Sequence, residues 1–112
     1  MWMGFELYIE EGKRALEAMS NYVEVAKKVK KLASELVGGN VRVLVFGSVV
    51  RGKYTAASDI DILIITNVSK EAADALKARI YNEVDAPIQI HVATQEQYER
   101  WYRRFIDNAV EV

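Results

Sequence analysis

Two aspartates spaced two residues apart are the part of this sequence best suited to chemistry. Asp59 and Asp61 open a run of apolar residues, so in a strand their side chains would leave the same face about 6 to 7 Å apart. Neighbouring carboxylates repel each other unless a cation neutralises them. Two metal ions about 3.5 to 4 Å apart fit that spacing, and such pairs commonly serve displacement at phosphorus. The spacing indicates a hard-cation site for phosphoryl chemistry, although an isolated Asp-x-Asp can also be two exposed acids at a strand start.

A phosphate-binding turn is predicted shortly before the aspartates. Gly47 and Ser48 follow another apolar run, so the Ser48 hydroxyl and the next backbone N–H groups can face an anion, which the glycine allows to approach closely. Arg51 and Lys53 lie in the same polar loop and can neutralise phosphate charge. This neighbouring turn favours a metal site for phosphoryl chemistry over two exposed acids as the interpretation of the aspartate pair.

The composition excludes several other kinds of site. The chain has 112 residues, no cysteine and one histidine, His91, which excludes disulfides, thiolate zinc sites, iron–sulfur clusters and multi-histidine metal centres. The formal net charge of −1 gives no overall field for nucleic acid. Four lysines between 27 and 31 are expected to form a solvated helix face. No run is long and apolar enough for a membrane span, so we expect a cytoplasmic protein.

The spacing of apolar residues predicts a single α+β (α/β) domain. Its expected parts are an N-terminal helical segment at 1–39, a motif-bearing core at 41–94 and a C-terminal helix at 95–108. The first segment fits one bent helix or two helices, the second begun by a capping box from Asn21. Strands are predicted at 41–46, 60–66 and 88–92, and a helix at 70–83.

A small mixed sheet of three or slightly more strands, backed by helices on one side, would bury the apolar faces of these elements. The C-terminal helix carries an apolar, mostly aromatic stripe, which is expected to serve the core or a subunit contact. Its members are Tyr98, Trp101, Tyr102, Phe105 and Ile106.

The combined motif resembles the signature of the nucleotidyltransferase superfamily related to DNA polymerase beta. Its residues are Gly47-Ser48, Arg51-Gly52 and Ser58-Asp59-Ile60-Asp61, and the short chain is similar to the minimal nucleotidyltransferase (MNT) proteins. The resemblance implies that superfamily's fold and an ATP-dependent reaction in which a hydroxyl attacks the α-phosphate and pyrophosphate leaves. It also implies residue roles. Gly47, Ser48, Arg51, Lys53 and Ser58 would bind the nucleotide phosphates, and Asp59 and Asp61 would bind two Mg²⁺ ions.

One position departs from the family pattern. The resemblance implies a third carboxylate on a neighbouring strand, and Gln89 is the residue that matches it. A glutamine oxygen can ligate Mg²⁺, but it carries no charge and is no useful base. Asp85 is too far along the chain to replace it, whereas His91 lies two residues beyond Gln89 on the same strand face. We therefore expect His91 to border the site, as a proton acceptor or as a packing residue.

The resemblance also suggests what the protein acts on. MNT proteins are commonly paired with HEPN-domain toxins, so this chain could be an antitoxin that transfers AMP to a tyrosine of such a partner. A second copy of the chain could instead complete the site, and nucleic acid is not expected as a partner. The alternative function is a weak or inactive nucleotide-binding or partner-binding module, which Gln89 favours. Small-molecule hydroxyl acceptors are less favoured.

Overall fold

The N-terminal segment forms two helices. The computed structural model describes residues 2–106 and 108–112, apart from the side chains of residues 2 and 3. Helix α1 spans Trp2–Ser20 and α2 spans Tyr22–Val37. The break at Asn21 agrees with the two-helix alternative, but the predicted capping box is wrong. The Asn21 side chain does not cap α2, because its amide donates backwards to the Glu17 carbonyl oxygen at 3.0 Å.

A four-stranded mixed sheet forms the centre of the molecule. Its strands and the helix between them are β1 Arg42–Phe46, β2 Ile60–Ile65, α3 Lys70–Glu83, β3 Ile88–Ala93 and β4 Val110–Glu111. The spatial order is β3-β2-β1-β4. β1 runs antiparallel to β2 and β4, whereas β2 and β3 are parallel and joined by α3. The mixed α+β sheet expected from the sequence is confirmed, with β4 as an addition.

Local signals in the sequence set the ends of the middle elements. Gly38 closes α2 with φ at 71°, a conformation that glycine adopts readily. The Ser69 hydroxyl accepts a hydrogen bond from the Ala72 N–H at 3.2 Å and so begins α3. The Pro87 carbonyl oxygen accepts the Ile60 N–H at 2.7 Å. This last bond ties the start of β3 to the start of β2, where the aspartates lie.

The C-terminal helix is shorter and less regular than predicted. Helix α4 consists of three consecutive pieces, which are Gln95–Gln97, a π-helical turn at Tyr98–Tyr102, and Arg103–Phe105. The helix does not reach residue 108, because Ile106 is extended and Asn108 has φ at 57°. Asp107, within the predicted helix, lies outside the described residues. The chain after the helix returns to the sheet as β4, beside β1.

Helices cover both faces of the sheet, which corrects the expectation of a single covered side. One face packs against α2, α3 and the end of α1 in a core that includes Met19, Val29, Val43, Val45, Ile62, Ile64, Ile80 and Ile90. On the other face, α4 covers only part of the sheet through Tyr98, Tyr102 and Ile106, which pack on Leu44, Leu63, Ile65 and Ala93. The uncovered part holds the aspartates. No helix within residues 2–106 and 108–112 has the length and apolarity of a membrane span.

Candidate active site

The sheet register places the proposed metal ligands side by side. Asp61 lies between Phe46 of β1 and Gln89 of β3, and paired residues in a sheet direct their side chains to the same face. Asp59 immediately precedes β2. Asp59 and Gln89 are exposed and Asp61 is half-buried, because α4 leaves this end of the face open. The site is therefore a row of oxygen-bearing side chains that a solvent-borne substrate can reach.

Gly47 brings the phosphate-binding turn against the aspartates. It follows β1 directly and has φ at 85°, a value that residues other than glycine rarely adopt. A Cβ at this position would overlap an oxygen of the Asp61 carboxylate and lie 3.3 Å from its Cγ. The glycine therefore allows the turn to pass the carboxylate closely. The sequence predicts that Gly47 makes room for a phosphate, but it does not reveal this contact.

The loop after Gly47 is folded by its own backbone. The Lys53 N–H donates to the Ser48 carbonyl oxygen at 3.0 Å, and the Gly52 N–H donates to that of Val49 at 3.3 Å. Val49 is buried and holds the loop to the main core. Arg51 and Lys53 are exposed. Their cationic groups are therefore accessible to a phosphate that approaches from solvent.

Ser58 has a role that the sequence does not indicate. Its hydroxyl accepts a hydrogen bond from the Thr55 N–H at 2.9 Å, and its own N–H donates to the Thr55 carbonyl oxygen at 3.0 Å. These bonds close a small turn directly before Asp59. Ser58 thus shapes the approach to the first aspartate, and phosphate contact by its hydroxyl would have to share that oxygen with Thr55.

The electrostatics of Asp61 favour a bound cation. Burial raises the pKa of the Asp61 carboxyl above its usual range, the His91 side chain lowers it, and the neighbouring Asp59 charge raises it. Desolvation and like-charge repulsion both oppose ionisation, so a cation between the aspartates would relieve both. Within the described residues no group of three or more His, Cys, Asp or Glu side chains gathers for a metal. Two carboxylates and an amide oxygen nonetheless fit Mg²⁺, which keeps several waters and substrate oxygens as ligands.

His91 lies at the boundary between the open site and α4. Its ring is half-buried, with ring centroids 5.6 Å from Phe46 and 6.2 Å from Tyr102. Burial lowers the pKa of His91, the Asp61 charge raises it, and Lys77 lowers it. Phe46 and Tyr102 are the site neighbours that sequence reasoning missed. Periodicity places Tyr102 on the apolar stripe of α4, but only the order of the strands places that stripe beside His91.

Two other charged features lie apart from this site. Asp85 lines a cavity with Arg14 and Ala18 of α1, and Ala18 packs on the sheet face opposite the one that carries Asp61. This placement agrees with the rejection of Asp85 as a third ligand. In the lysine run, Lys27 pairs with Glu24 at 3.5 Å and Lys30 donates to the Val112 carbonyl oxygen at 2.8 Å. Lys27, Lys28 and Lys31 are exposed, so the run lies on a largely solvated helix face, as expected.

Comparison with known proteins assigns the family. A model described as the nucleotidyltransferase domain matches residues 26–109. The chain belongs to this family. The match includes the glycine–serine turn, both aspartates and Gln89, and it leaves all of α1 and the first turn of α2 outside. The membership expected from the sequence motif is therefore confirmed, and nucleotidyl transfer with a nucleotide substrate and a divalent metal is the chemistry of the domain.

Two solved structures resemble this nucleotidyltransferase domain. The crystal structure of a candidate nucleotidyltransferase shares 26% identity with a TM-score of 0.64, and the match covers 77% of this chain and 95% of that one. A second candidate nucleotidyltransferase, from Sulfolobus solfataricus, shares 20% identity with a TM-score of 0.62 over 88% of this chain and 85% of that one. The second likeness concerns the fold alone. Comparison with curated proteins gives no match.

Proposed function

We propose that this domain transfers AMP from ATP to a hydroxyl group, with Asp59 and Asp61 as ligands of Mg²⁺. The observation that carries the proposal is the contact of Gly47 with Asp61, which joins the phosphate-binding turn to the metal carboxylates. A triphosphate on the turn would have its α-phosphate beside Asp61. The bound ions would neutralise the phosphates and polarise the reacting phosphoryl group.

Each part of the chain has a task in this reaction. The Ser48 hydroxyl and the amides of its turn would hold the outer phosphates, with Arg51 and Lys53 adding positive charge. The acceptor would enter beside Gln89, on the edge strand. Its oxygen forms a bond to the α-phosphorus, the bond to pyrophosphate breaks, and the acceptor proton must leave. We assign that proton to His91, which lies two residues beyond Gln89 on β3 and packs against the rings of Phe46 and Tyr102.

Label transfer tests the reaction. The protein is incubated with ATP labelled in the α-phosphate, Mg²⁺ and candidate acceptors, and label on the acceptor is measured. Transfer should fall by at least about a hundredfold in Asp61→Asn, since one metal carboxylate is lost. Asp85→Asn removes one acid outside the site and is the matched control. Equal activity of the two variants would refute the assignment of Asp61, and full activity of His91→Ala would refute that of His91.

We further propose that the acceptor is a tyrosine of a HEPN-domain toxin and that the chain is its antitoxin. The family resemblance supports this partner, and so do two exposed aromatic side chains on α4, the helix whose Tyr102 borders His91. Trp101 is 63% exposed and Phe105 is 80% exposed. Mass spectrometry of the HEPN protein after incubation with ATP should show the added AMP on tyrosine. Modification that persists after the tyrosine is changed to phenylalanine would refute that acceptor.

Gln89 supports a second candidate function, a nucleotide-binding or partner-binding module with little transferase activity. The register places this neutral side chain beside Asp61, where it adds neither charge nor a base. ATP would then bind without transfer, and Gln89→Glu would gain activity. A fall in activity in Gln89→Glu, with wild-type transfer intact, would rule out this second function.

A further inference from the structure

Helix α1 extends an apolar stripe out of the folded domain. Phe5, Tyr8, Ile9 and Leu16 recur at helical spacing on one side of α1, and they are 62%, 76%, 41% and 41% exposed. The same side continues to Met19, which is fully buried in the core. The stripe thus begins inside the domain and runs into solvent over the N-terminal part of the helix. A patch of this kind marks an interaction surface.

A cavity lined by small residues adjoins the stripe. It has a volume of about 560 Å³ and lies between α1 and the loop before Asp59. Gly12, Ala15, Ala56 and Ala57 line it, with Tyr8 at its edge. A Cβ built on Gly12 would be 3.8 Å from the Ala56 Cβ, so α1 and the loop pack closely at this edge of the cavity. The cavity is large enough for an aromatic side chain.

The charges beside the stripe indicate which partner fits. Glu6 and Lys13 lie seven residues apart, so they share one flank of the helix. Both are exposed, and neither belongs to an ion pair within the described residues. In two parallel copies related by a two-fold axis, Glu6 and Lys13 of one copy would lie on the opposite side of the interface from those of the other, so they could not pair. Two antiparallel copies with a two-fold axis between Ile9 and Glu10 would place Glu6 of each copy opposite Lys13 of the other.

We propose that two copies of the chain pair through antiparallel α1 helices about this axis. In that arrangement Phe5 of one copy faces residue 14 of the second copy, so its ring lies over the gap at Gly12 and Ala15 and can enter the cavity. The occupant is thus a second copy of this chain, because self-pairing satisfies the charges twice and matches large side chains to small ones. The pairing would also bring the second copy's α1 beside the loop that leads to Asp59.

Sedimentation equilibrium over a concentration series tests the pairing with matched variants. Tyr8→Glu places a charge in the stripe and should weaken dimerisation by at least about tenfold. Leu7→Glu makes the same change on the opposite side of α1, where Leu7 is 55% exposed, and should leave the dimer intact. Circular dichroism checks that both variants stay folded. A monomeric wild-type protein, or equal weakening by both variants, would overturn the proposal.

A charge exchange tests the antiparallel register. Glu6→Lys alone and Lys13→Glu alone should each weaken the dimer, since each creates two like-charge contacts. The double variant should restore it to within about threefold of wild type, because the pairs reform with reversed sign. Additive weakening in the double variant would exclude this register. A heterologous partner would also fail to give the rescue, since its own charges would be unchanged.

Cysteine cross-linking supplies a test that needs no equilibrium measurement. The chain has no native cysteine, so an introduced thiol is unique. Ile9→Cys lies next to the proposed axis and should form a disulfide-linked dimer on mild oxidation, whereas Leu7→Cys should not. Equal cross-linking of both variants would indicate random collision and overturn the proposal. None of these outcomes depends on the transferase reaction, so the pairing and the proposed function can fail separately.

Discussion

Replacement of Gly47 by alanine should disable the site while leaving the fold largely intact. The added Cβ would overlap the Asp61 carboxylate, so the turn or the aspartate must move. Position 47 also has φ at 85°, which costs a residue other than glycine about 1–2 kcal/mol. A displacement near 1 Å at a reacting centre can lower a rate by about a hundredfold. We expect that loss in transfer, together with weaker binding of Mg²⁺ and ATP.

Gly38→Ala is the matched control for this prediction. Gly38 has φ at 71°, but a Cβ there would meet no atom within 4 Å. Gly38→Ala should therefore lose about 1–2 kcal/mol of unfolding free energy to backbone strain, as measured by urea denaturation. Gly47→Ala should lose at least as much, because its Cβ also overlaps the Asp61 carboxylate. Only Gly47→Ala should also lose transfer and nucleotide affinity. If Gly47→Ala keeps wild-type transfer and affinity, the contact does not set the position of Asp61 and the reasoning is refuted.

Two further predictions concern the edges of the sheet. The Arg42 hydrogen bond lowers the pKa of Glu111 on β4, so this exposed pair should stabilise the fold by less than about 1 kcal/mol at neutral pH. That stability should fall as the pH drops through the carboxyl's ordinary pKa and below, and Glu111→Gln should flatten this dependence in thermal melts. Tyr81→Phe removes the hydroxyl that accepts the Ile90 N–H at 2.7 Å and should lower unfolding free energy by about 1 kcal/mol, with Tyr22→Phe as a control in the same assay.

The sequence predicts elements whose signals are local. Helix 70–83 is found as expected because its cap at Ser69 is encoded within a few residues of its start. A capping box between Thr94 and Gln97 begins α4, and its two residues lie only three apart in the sequence. β4 could not be predicted, since two residues carry no periodicity and the strand depends on pairing with β1. The end of α4 could not be predicted for a similar reason. The helix ends where the chain turns back to the sheet, and the pairing of β4 with β1 has no local signal.

The candidate site shows the same division between local and long-range information. The motif identifies the aspartates and the glycine–serine turn by residue type and spacing alone. The contact of Gly47 with Asp61 depends on the antiparallel register that pairs Phe46 with Asp61. The placement of His91 between Phe46 and Tyr102 brings together two strands and a helix. No spacing along the chain encodes that arrangement.

Gln89 divides the proposed reaction into a part that the site can support and a part that it leaves to another group. Mg²⁺ is often held by one or two carboxylates with substrate phosphates, so Asp59 and Asp61 suffice for binding a metal–nucleotide complex. Removing the acceptor proton requires a base, which an amide is not. His91→Ala should therefore lower transfer far more than nucleotide affinity, whereas Asp61→Asn should lower both. If His91→Ala lowered affinity as strongly as Asp61→Asn, His91 would belong to nucleotide binding, and the base would have to come from the acceptor protein.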